Sequence, residues 1–315
     1  MQEMPVYLFT GFLEAGKTSF IQETLADKRF NDGQRTLLLV CEEGEVEYNT
    51  SPAYMKNIFI ETIEEEAELT AQVLRVFAGK HRASRVLIEY NGMWQLKTLF
   101  DNMPENWVIY QEFFFADANT FLSYNANMRG LVVDKLTGCE LVVFNRFADG
   151  MDKMAFHKIV RGVSRRPDIA YEYAADDRVE YDDIEDPLPF DIDAPVIEIA
   201  DGDYALWYRD LSEDPKKYDG KTVEYKALAA VNPRMKPGVF FFGRQLMTCC
   251  VEDIQFAGLL TQCEAAQMPE NGKWYTMRLK IAYKWHKLYG RKGPVLTLET
   301  MTPAEAPDQP VATFY

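Results

Sequence analysis

The sequence has no run of 18 uninterrupted apolar residues, the length that a membrane-spanning helix approaches. Its first residues also lack the basic region and the long apolar region of a secretory signal. Both absences argue against a transmembrane segment and against export. We therefore expect the protein in the cytoplasm.

Basic residues are scarce as well. The 34 Lys and Arg residues face 49 Asp and Glu residues, which gives a formal net charge of −15. Because a polyanion must be met by a basic surface, this charge disfavours non-specific binding to nucleic acid or to anionic lipid, although local basic patches are compatible with it. We expect no nucleic-acid partner.

Cysteine and histidine are few. Five cysteines are an odd number in a chain without a leader, so we expect reduced thiols and no disulfide framework. The three histidines, His81, His157 and His286, are scattered without the spacing of metal ligands. Each is expected to be a surface or core residue.

Alternating strand-like and helical patterns run through residues 1 to about 175. Continuous apolar runs at 35–41 and 85–90 are typical of strands buried on both faces of a parallel sheet, and the spacing of Leu69, Val73 and Leu74 predicts a helix over 64–79. This alternation predicts an α/β fold with a doubly wound, mostly parallel sheet. Its ligands should lie at the carboxyl ends of the strands.

The second part of the chain has a different pattern. Residues 176–193 are rich in acidic residues and proline and are interpreted as a linker or surface excursion. Short strand-like segments follow at 221–231, 238–246, 274–283 and 295–301, with turn residues between them. We therefore predict a first domain over residues 1–190 and a smaller, β-rich, barrel-like domain over residues 203–315.

Residues 11–18, Gly-Phe-Leu-Glu-Ala-Gly-Lys-Thr, satisfy the P-loop pattern G-x-x-x-x-G-K-[ST]. The motif follows a predicted strand and opens a predicted helix, so backbone N–H groups and the positive helix end converge on an anion. Lys17 should reach the β and γ phosphates, and Thr18 should ligate Mg²⁺. The residues assigned to nucleotide binding in this loop are Gly11, Glu14, Ala15, Gly16, Lys17, Thr18 and Ser19. Glu14 is unusual so close to phosphates, and we expect it to point to solvent.

Acidic residues end two neighbouring predicted strands. Glu89 is placed to hold the Mg²⁺ shell, and the backbone N–H of Gly92 could sense the γ phosphate. Glu42 belongs to an acidic cluster at 42–45, where a carboxylate could orient water or bind a metal ion. The alternatives are an exposed strand-end carboxylate for Glu89 and a solvated turn for Glu42. We assign Lys17, Glu42 and Glu89 to catalysis and Thr18 and Glu89 to the metal.

Together, the loop at 11–19, the acidic turn at 42–45 and Glu89-x-x-Gly92 resemble the CobW/HypB/UreG family of SIMIBI-class P-loop GTPases. The resemblance covers roughly the first 175 residues. It implies GTP hydrolysis coupled to delivery of a metal ion, often zinc, cobalt or nickel, to a client protein. It also implies a homodimer, since SIMIBI relatives often dimerise across the nucleotide.

The chain departs from this family at two motifs. The guanine-reading Asn-Lys-x-Asp is represented by Asn145-Arg-Phe-Ala-Asp149. Asn145 can still meet the base edge, but ATP stays open beside GTP. The family's Cys-x-Cys-Cys motif is also missing, because residues 49–66 contain no cysteine.

A distinctive stretch at 243–253 includes Cys249 and Cys250. It resembles an Arg-x-x-x-x-Cys-Cys-x-x-Asp motif in a β-barrel-like domain otherwise attached to membrane permease subunits of bacteria. With Cys263 and Asp253, these cysteines could form a thiolate site for Zn²⁺ or Cu(I). Burial as inert core residues is the alternative.

Three functions fit these patterns. The first is a nucleotide-dependent metallochaperone or regulatory NTPase that uses Mg²⁺ and acts on a metal-receiving client or a permease. The second is a non-catalytic protein in which the bound nucleotide sets the shape of a partner surface. The third is a small-molecule kinase that shares only the P-loop, for which neither an acceptor pocket nor an arginine-bearing lid is evident.

Overall fold

The computed structural model describes residues 3–42, 44, 46–176, 178–248 and 254–314. The chain divides into two compact units, Met1–Ile184 and Glu185–Tyr315. No helix among the described residues combines the length and the apolar character that crossing a bilayer requires.

The first unit contains one eight-stranded sheet with the strand order β3-β2-β4-β1-β5-β6-β7-β8. Every neighbouring pair is parallel except β7 and β8, which are antiparallel. The strands are β1 (Met4–Gly11), β2 (Thr36–Val40), β3 (Ile58–Thr62), β4 (Arg85–Glu89), β5 (Trp107–Asp117), β6 (Leu141–Phe147), β7 (Asp168–Tyr173) and β8 (Val179–Tyr181).

Helices cover both faces of this sheet. They are α1 (Lys17–Ala26), α2 (Ala71–His81), α3 (Leu96–Asn102), α4 (Ala118–Asn127), α5 (Arg129–Gly138) and α6 (Lys153–Val163). Strand β2 shows the two layers, since Leu37 and Leu39 belong to the core that contains Leu74 and Leu99 of α2 and α3, whereas Leu38 packs with residues of α1. Successive side chains of a strand point to opposite faces, so a continuous apolar run serves two helical layers.

The predicted α/β class with a doubly wound, mostly parallel sheet is confirmed. Three details differ from the prediction. The helix expected over 64–79 begins only at Ala71, because Thr70 accepts a hydrogen bond from the Val73 N–H and caps it. The apolar run of β3 was not predicted as a strand. The expected linker at 176–193 contains β8, which pairs with β7.

The second unit contains β9 (Ile197–Glu198), α7 (Tyr204–Glu213), β10 (Thr222–Ala230), β11 (Val239–Leu246), β12 (Gln255–Gln262), β13 (Trp274–His286), β14 (Arg291–Pro303) and β15 (Val311–Ala312). Five of these strands close into a barrel in the order β10-β11-β12-β14-β13, with β13 returning to β10. The pairing of β12 with β14 is parallel and the other four are antiparallel. This is the topology of the five-stranded OB-fold.

The barrel core is rich in aromatic residues. Trp207 of α7 is fully buried and packs against Tyr225 of β10, and Tyr225 also contacts Phe242 of β11. Phe190, which lies within the segment expected to be a linker, joins this core. Neither α7 nor β12 was predicted, and the Gly and Ala residues of β12 explain its weak strand signal.

Candidate functional site

The P-loop occupies the carboxyl end of a central strand. Strand β1 lies between β4 and β5 and ends at Gly11, and α1 begins six residues later at Lys17. Gly16 precedes the helix with a φ of +96°, and a Cβ atom there would lie 2.3 Å from Asn145 Nδ2. A side chain at this position is therefore excluded by both backbone conformation and space. The turn brings β1, α1 and the end of β6 together.

Lys17 is buried, with 3% of its surface exposed. Its Nζ donates to the carbonyl oxygens of Gly11 at 2.8 Å and Phe12 at 2.9 Å, and to Glu42 Oε2 at 2.5 Å. A lysine is rarely buried unless its charge is compensated, and the two carbonyls and the Glu42 carboxylate compensate it. These contacts hold the ammonium group over the loop.

Glu42 contacts a second donor as well. Its Oε1 accepts a hydrogen bond from the Gly92 N–H at 3.2 Å. Gly92 lies so close to the P-loop that a Cβ atom there would be 2.6 Å from the Gly11 carbonyl oxygen. One carboxylate thus joins the two groups, Lys17 and the Gly92 amide, that the sequence assigned to the γ phosphate.

Thr18 and Glu89 form a pair of oxygen ligands beside this cluster. The Thr18 hydroxyl donates to Glu89 Oε1 at 2.7 Å, and the Tyr48 hydroxyl donates to Glu89 Oε2. Burial raises the pKa of Glu89, while the hydrogen bonds from Thr18 and Tyr48 and the charge of Lys17 act in the opposite direction. The buried carboxylate therefore lacks a full positive counter-charge.

These oxygens fit a magnesium ion. Mg²⁺ prefers hard oxygen ligands and is commonly held by one carboxylate, one hydroxyl and the phosphates of the substrate. The Thr18 hydroxyl and the Glu89 carboxylate are already adjacent, and a cation would offset the burial that raises the pKa of Glu89. The donor set thus agrees with the one that the P-loop motif predicts.

The segment predicted to contact the nucleotide base, residues 145–149, is arranged differently from what an Asn-Lys-x-Asp motif implies. Asn145 pairs with Asp117 in the register of β5 and β6, and Arg146 has a φ of +54°. The Arg146 guanidinium donates to the Glu14 carbonyl oxygen at 2.9 Å and to Asp117 Oδ2 at 2.6 Å. Asp149, by contrast, is paired with Arg178 at 2.7 Å. The acid beside Asn145 is therefore Asp117 and not Asp149.

A cleft of about 140 Å³ collects most of the predicted site residues. Its lining residues are Leu13, Glu14, Ala15, Gly16, Lys17, Thr18, Ser19, Glu42, Gly44, Val46, Glu89, Asn145 and Arg146. Gly11 and Gly92 join it through the contacts described above. Glu14 is exposed, with a φ of +61°. The sequence did not indicate Tyr48 or Asp117 as contacts of the site, and it marked Arg146 only as part of the Asn145–Asp149 segment. Asp117 lies opposite Asn145 in the register of β5 and β6, which only the structure reveals. No sequence pattern distinguished Tyr48 from other tyrosines.

The predicted thiolate site is not assembled among the described residues. Cys249, Cys250 and Asp253 lie outside them, and Cys263 is half-buried with its Sγ 3.7 Å from the Met268 sulfur. Burial raises the pKa of the Cys263 thiol. The described part of the chain contains no group of three or more His, Cys, Asp or Glu residues that could hold a metal ion.

Comparison with known proteins gives separate results for sequence and structure. Residues 179–312 match the family model described as the DUF1980 C-terminal domain. No curated protein matches the chain. Among solved structures, the chain is similar to the Zn(II)-bound YjiA GTPase from E. coli, with a TM-score of 0.41 and 18% identity, over 54% of this chain and 57% of that one.

A second similar structure is the hydrogenase maturation factor HypB from Archaeoglobus fulgidus. Its TM-score is 0.38 and its identity 15%, over 54% of this chain and 80% of that one. YjiA and HypB fall within the group of GTPases that the motifs of the sequence resemble.

Proposed function

We propose that this chain is a nucleoside triphosphatase that binds GTP or ATP at the P-loop and hydrolyses the γ phosphate with Mg²⁺. The observation that carries the proposal is the convergence of Lys17, Glu42 and the Gly92 amide beside the Thr18–Glu89 pair. A buried lysine, an amide in the turn after the neighbouring strand β4 and two oxygens suited to a metal ion are the parts that phosphoryl transfer to water requires.

Each residue has a distinct role in this proposal. Lys17 and the amides of the loop bind the β and γ phosphates and offset the charge that develops during transfer. The Gly92 N–H contacts a γ-phosphate oxygen. Thr18 and Glu89 would hold Mg²⁺, which supplies charge neutralisation between the β and γ phosphates when it is bound.

Glu42 has two successive roles. Its carboxylate contacts the same two donors that the γ phosphate needs, so nucleotide binding has to displace it from Lys17 and Gly92. Once displaced, the carboxylate stays at the edge of the cleft, where it orients the attacking water. The segment around Glu42 therefore changes its contacts between the free and the nucleotide-bound protein.

We further propose that this change couples nucleotide state to metal handling, as in a metallochaperone or a regulatory NTPase. The resemblance of the loop, the acidic turn and Glu89-x-x-Gly92 to CobW-type GTPases supports zinc or another transition metal as cargo. A metal-receiving client protein or a membrane permease is the partner in this proposal, and a homodimer across the nucleotide is the proposed assembly.

A non-catalytic nucleotide-binding protein is the second candidate. The observation that favours it is the segment predicted to contact the base, in which the Arg146 guanidinium already donates to the Glu14 carbonyl oxygen and to Asp117. In that case nucleotide would bind tightly and release no phosphate.

The decisive experiment compares GTP and ATP on the purified chain with Mg²⁺, with and without Zn²⁺. Release of inorganic phosphate and equilibrium binding are both measured. We expect Lys17→Ala to lower turnover about 10²- to 10³-fold, because it removes a donor to the charge of the transition state. Lys28→Ala, which removes an exposed lysine just after α1, should change nothing.

The outcomes of this experiment distinguish the candidate functions. Absence of nucleotide binding in the unaltered chain, or equal activity in Lys17→Ala and the unaltered chain, would refute the P-loop assignment. Tight binding without phosphate release would select the non-catalytic candidate. Turnover that Zn²⁺ leaves unchanged would argue against coupling to metal handling.

A further inference from the structure

A second cleft lies at one end of the barrel, and none of its lining residues belongs to the phosphate site. Its volume is about 530 Å³, compared with about 140 Å³ for the cleft at the P-loop. The loop between β10 and β11 forms one wall, and the tip between β13 and β14 forms another. It is lined by residues 234–239, Gln262, Cys263 and residues 286–288.

The first wall is held in place by its backbone. The Cys263 N–H donates to the Gly238 carbonyl oxygen at 2.9 Å. Gly238 has a φ of +85°, and a Cβ atom there would lie 2.6 Å from the Cys263 carbonyl oxygen. Only glycine allows this approach, which fixes the β10–β11 loop against the end of β12. The cleft is therefore a built feature of the barrel and not a gap beside a loose loop.

Three cationic side chains line this cleft without a counter-charge. Arg234, Lys236 and Lys287 are exposed, and within the described residues none of their side chains has an ion pair or a hydrogen bond. Other cations of the same unit are paired, for example Lys226 with Asp201 at 2.8 Å and Arg278 with Glu224 at 3.0 Å. Like charges brought together without partners favour an anion.

The chain around the cleft is also depleted of acid. No Asp or Glu occurs in residues 225–251 or 271–298, although the chain as a whole has a net charge of −15. These two stretches supply both walls. The acid next to the lining residues in sequence is Glu264, which is exposed and follows Cys263. An anionic ligand would thus meet a local positive potential on an otherwise acidic protein.

The lining also has apolar parts. Met235, Pro237, Val239 and Leu288 lie among the cations, and Leu288 is 49% exposed at the tip between β13 and β14. Aliphatic groups beside cations suit a ligand with an anionic group and an apolar part. In OB-folds, ligands bind at the loops between the first two and the last two strands, and these are the loops that form this cleft.

A single-stranded nucleic acid fits less well. OB-folds that bind such strands stack bases on exposed aromatic rings of the second and third strands. On β11 and β12 the corresponding rings, Phe241 and Phe256, are half-buried, and the Phe256 ring lies over Gly258. The described part of these two strands has no exposed aromatic ring to serve as a stacking platform.

We propose that this cleft binds a phosphate group on a ligand that also carries an apolar part, with Arg234, Lys236 and Lys287 contacting the phosphate oxygens. Arginine binds phosphate through two parallel hydrogen bonds, and the lysines act as point charges. Two sources have this chemistry, a free phosphorylated small molecule and the headgroup of an anionic lipid.

The test uses the chain with Lys17→Ala, which weakens phosphate binding at the P-loop. Because the cleft variants below are compared with one another in this same background, the result stands whether or not the proposed function holds. One arm titrates inorganic pyrophosphate by calorimetry. The other measures co-sedimentation with phosphatidylcholine vesicles that contain phosphatidylglycerol, against vesicles of phosphatidylcholine alone. We expect binding in at least one arm, and the arm that responds identifies the source.

Matched triple variants locate the site. The cleft variant combines Arg234→Ala, Lys236→Ala and Lys287→Ala. It should lower the affinity for the responding probe about tenfold or more, since three charge-assisted contacts are lost. The control variant combines Lys216→Ala, Lys273→Ala and Lys280→Ala, which remove the same charge from exposed positions outside the cleft. This variant should lower the affinity less than about twofold. Equal losses in both variants would overturn the proposal, as would absence of binding in both arms.

A second measurement leaves the cleft residues unaltered, so that its result does not depend on whether the triple variants fold. Lysine acetylation is followed by mass spectrometry in the Lys17→Ala chain with and without the responding probe. Protection of Lys236 and Lys287 relative to Lys273 and Lys280 supports the site, and equal protection of all four contradicts it.

Discussion

The P-loop edge of the first unit and the loop end of the barrel both gather positive groups, but they treat the charge in opposite ways. Lys17 is 3% exposed and already bound by two carbonyls and a carboxylate. Arg234, Lys236 and Lys287 are exposed, and their side chains have no partner among the described residues. The positive charge of the first site is compensated before any ligand binds, whereas the positive charges of the second are not.

The difference has an energetic cause. A buried charge must be paired or it loses several kcal/mol of solvation, so the first site needs Glu42 whenever phosphate is absent. Exposed charges stay solvated and need no such partner. The first site should therefore respond to ligand with a rearrangement of Glu42, and the second should bind with little change of the protein.

The largest effect concerns the interior of the barrel. Trp207 is fully buried in the aromatic core, so Trp207→Ala should lower the free energy of unfolding by about 3–5 kcal/mol through the cavity it leaves. Denaturant unfolding followed by circular dichroism measures this loss.

Trp207→Phe is the matched control. The indole Nε1 of Trp207 has no hydrogen-bond partner among the described residues, so phenylalanine keeps most of the packing and sacrifices no polar contact. A phenylalanine variant as unstable as the alanine variant would show that the aromatic packing does not stabilise the barrel.

An intermediate effect concerns Glu112, a buried carboxyl that has no ion pair among the described residues of the first unit. Burial raises the pKa of Glu112 to about 7, and the charge of Asp134 adds to the rise. The folded protein then holds a proton that the unfolded chain has already released, so the free energy of unfolding falls as the pH rises from about 4.5 to 7.

Glu112→Gln should remove this loss. It should stabilise the protein by at most about 3 kcal/mol above pH 7 and have no such effect below pH 4.5. Unfolding free energies between pH 4 and 8 measure the difference. Glu105→Gln, at an exposed position of the same unit whose charge does not contribute to the pKa shift of Glu112, is the control. A Glu112→Gln effect that does not vary with pH would contradict the interpretation.

The smallest effect tests whether Glu42, which compensates the charge of Lys17, competes with the γ phosphate for the same donors. Glu42→Gln weakens the contact that competes with the γ phosphate, so nucleotide affinity should rise about 3- to 10-fold, which corresponds to about 1 kcal/mol. Turnover should fall, because the carboxylate that orients water is lost. Equilibrium binding and phosphate release report the two effects separately. If the variant bound nucleotide more weakly, Glu42 would not compete with the phosphate.

Much of the fold was predictable from local pattern. The apolar runs at 35–41 and 85–90 correspond to β2 and β4, because strands covered on both faces need apolar side chains at every position. Strand β12 was not predictable in this way, since its glycine and alanine residues carry little strand preference. The order of its neighbours depends on barrel closure, which no local pattern records.

The candidate site likewise has a part that was predictable from the sequence and a part that was not. The glycines and lysine at 11–17 form a continuous motif, so the turn from β1 to α1 was predictable from the residues alone. The contacts of Tyr48 with Glu89 and of Arg146 with Asp117 join residues that are 41 and 29 positions apart. Their partners depend on how strands and loops meet at the sheet edge.

The sequence by itself determined the phosphate-binding loop, the α/β class and the acidic character of the chain, because each follows from residues that are neighbours in the chain or from composition. Only the tertiary structure decided that Glu42 bridges Lys17 and Gly92, and that Arg234, Lys236 and Lys287 line one cleft. The physical reason is distance along the chain. A side chain's electrostatic environment depends on the groups that folding brings within a few ångströms of it, and the sequence order of those groups does not reveal that proximity.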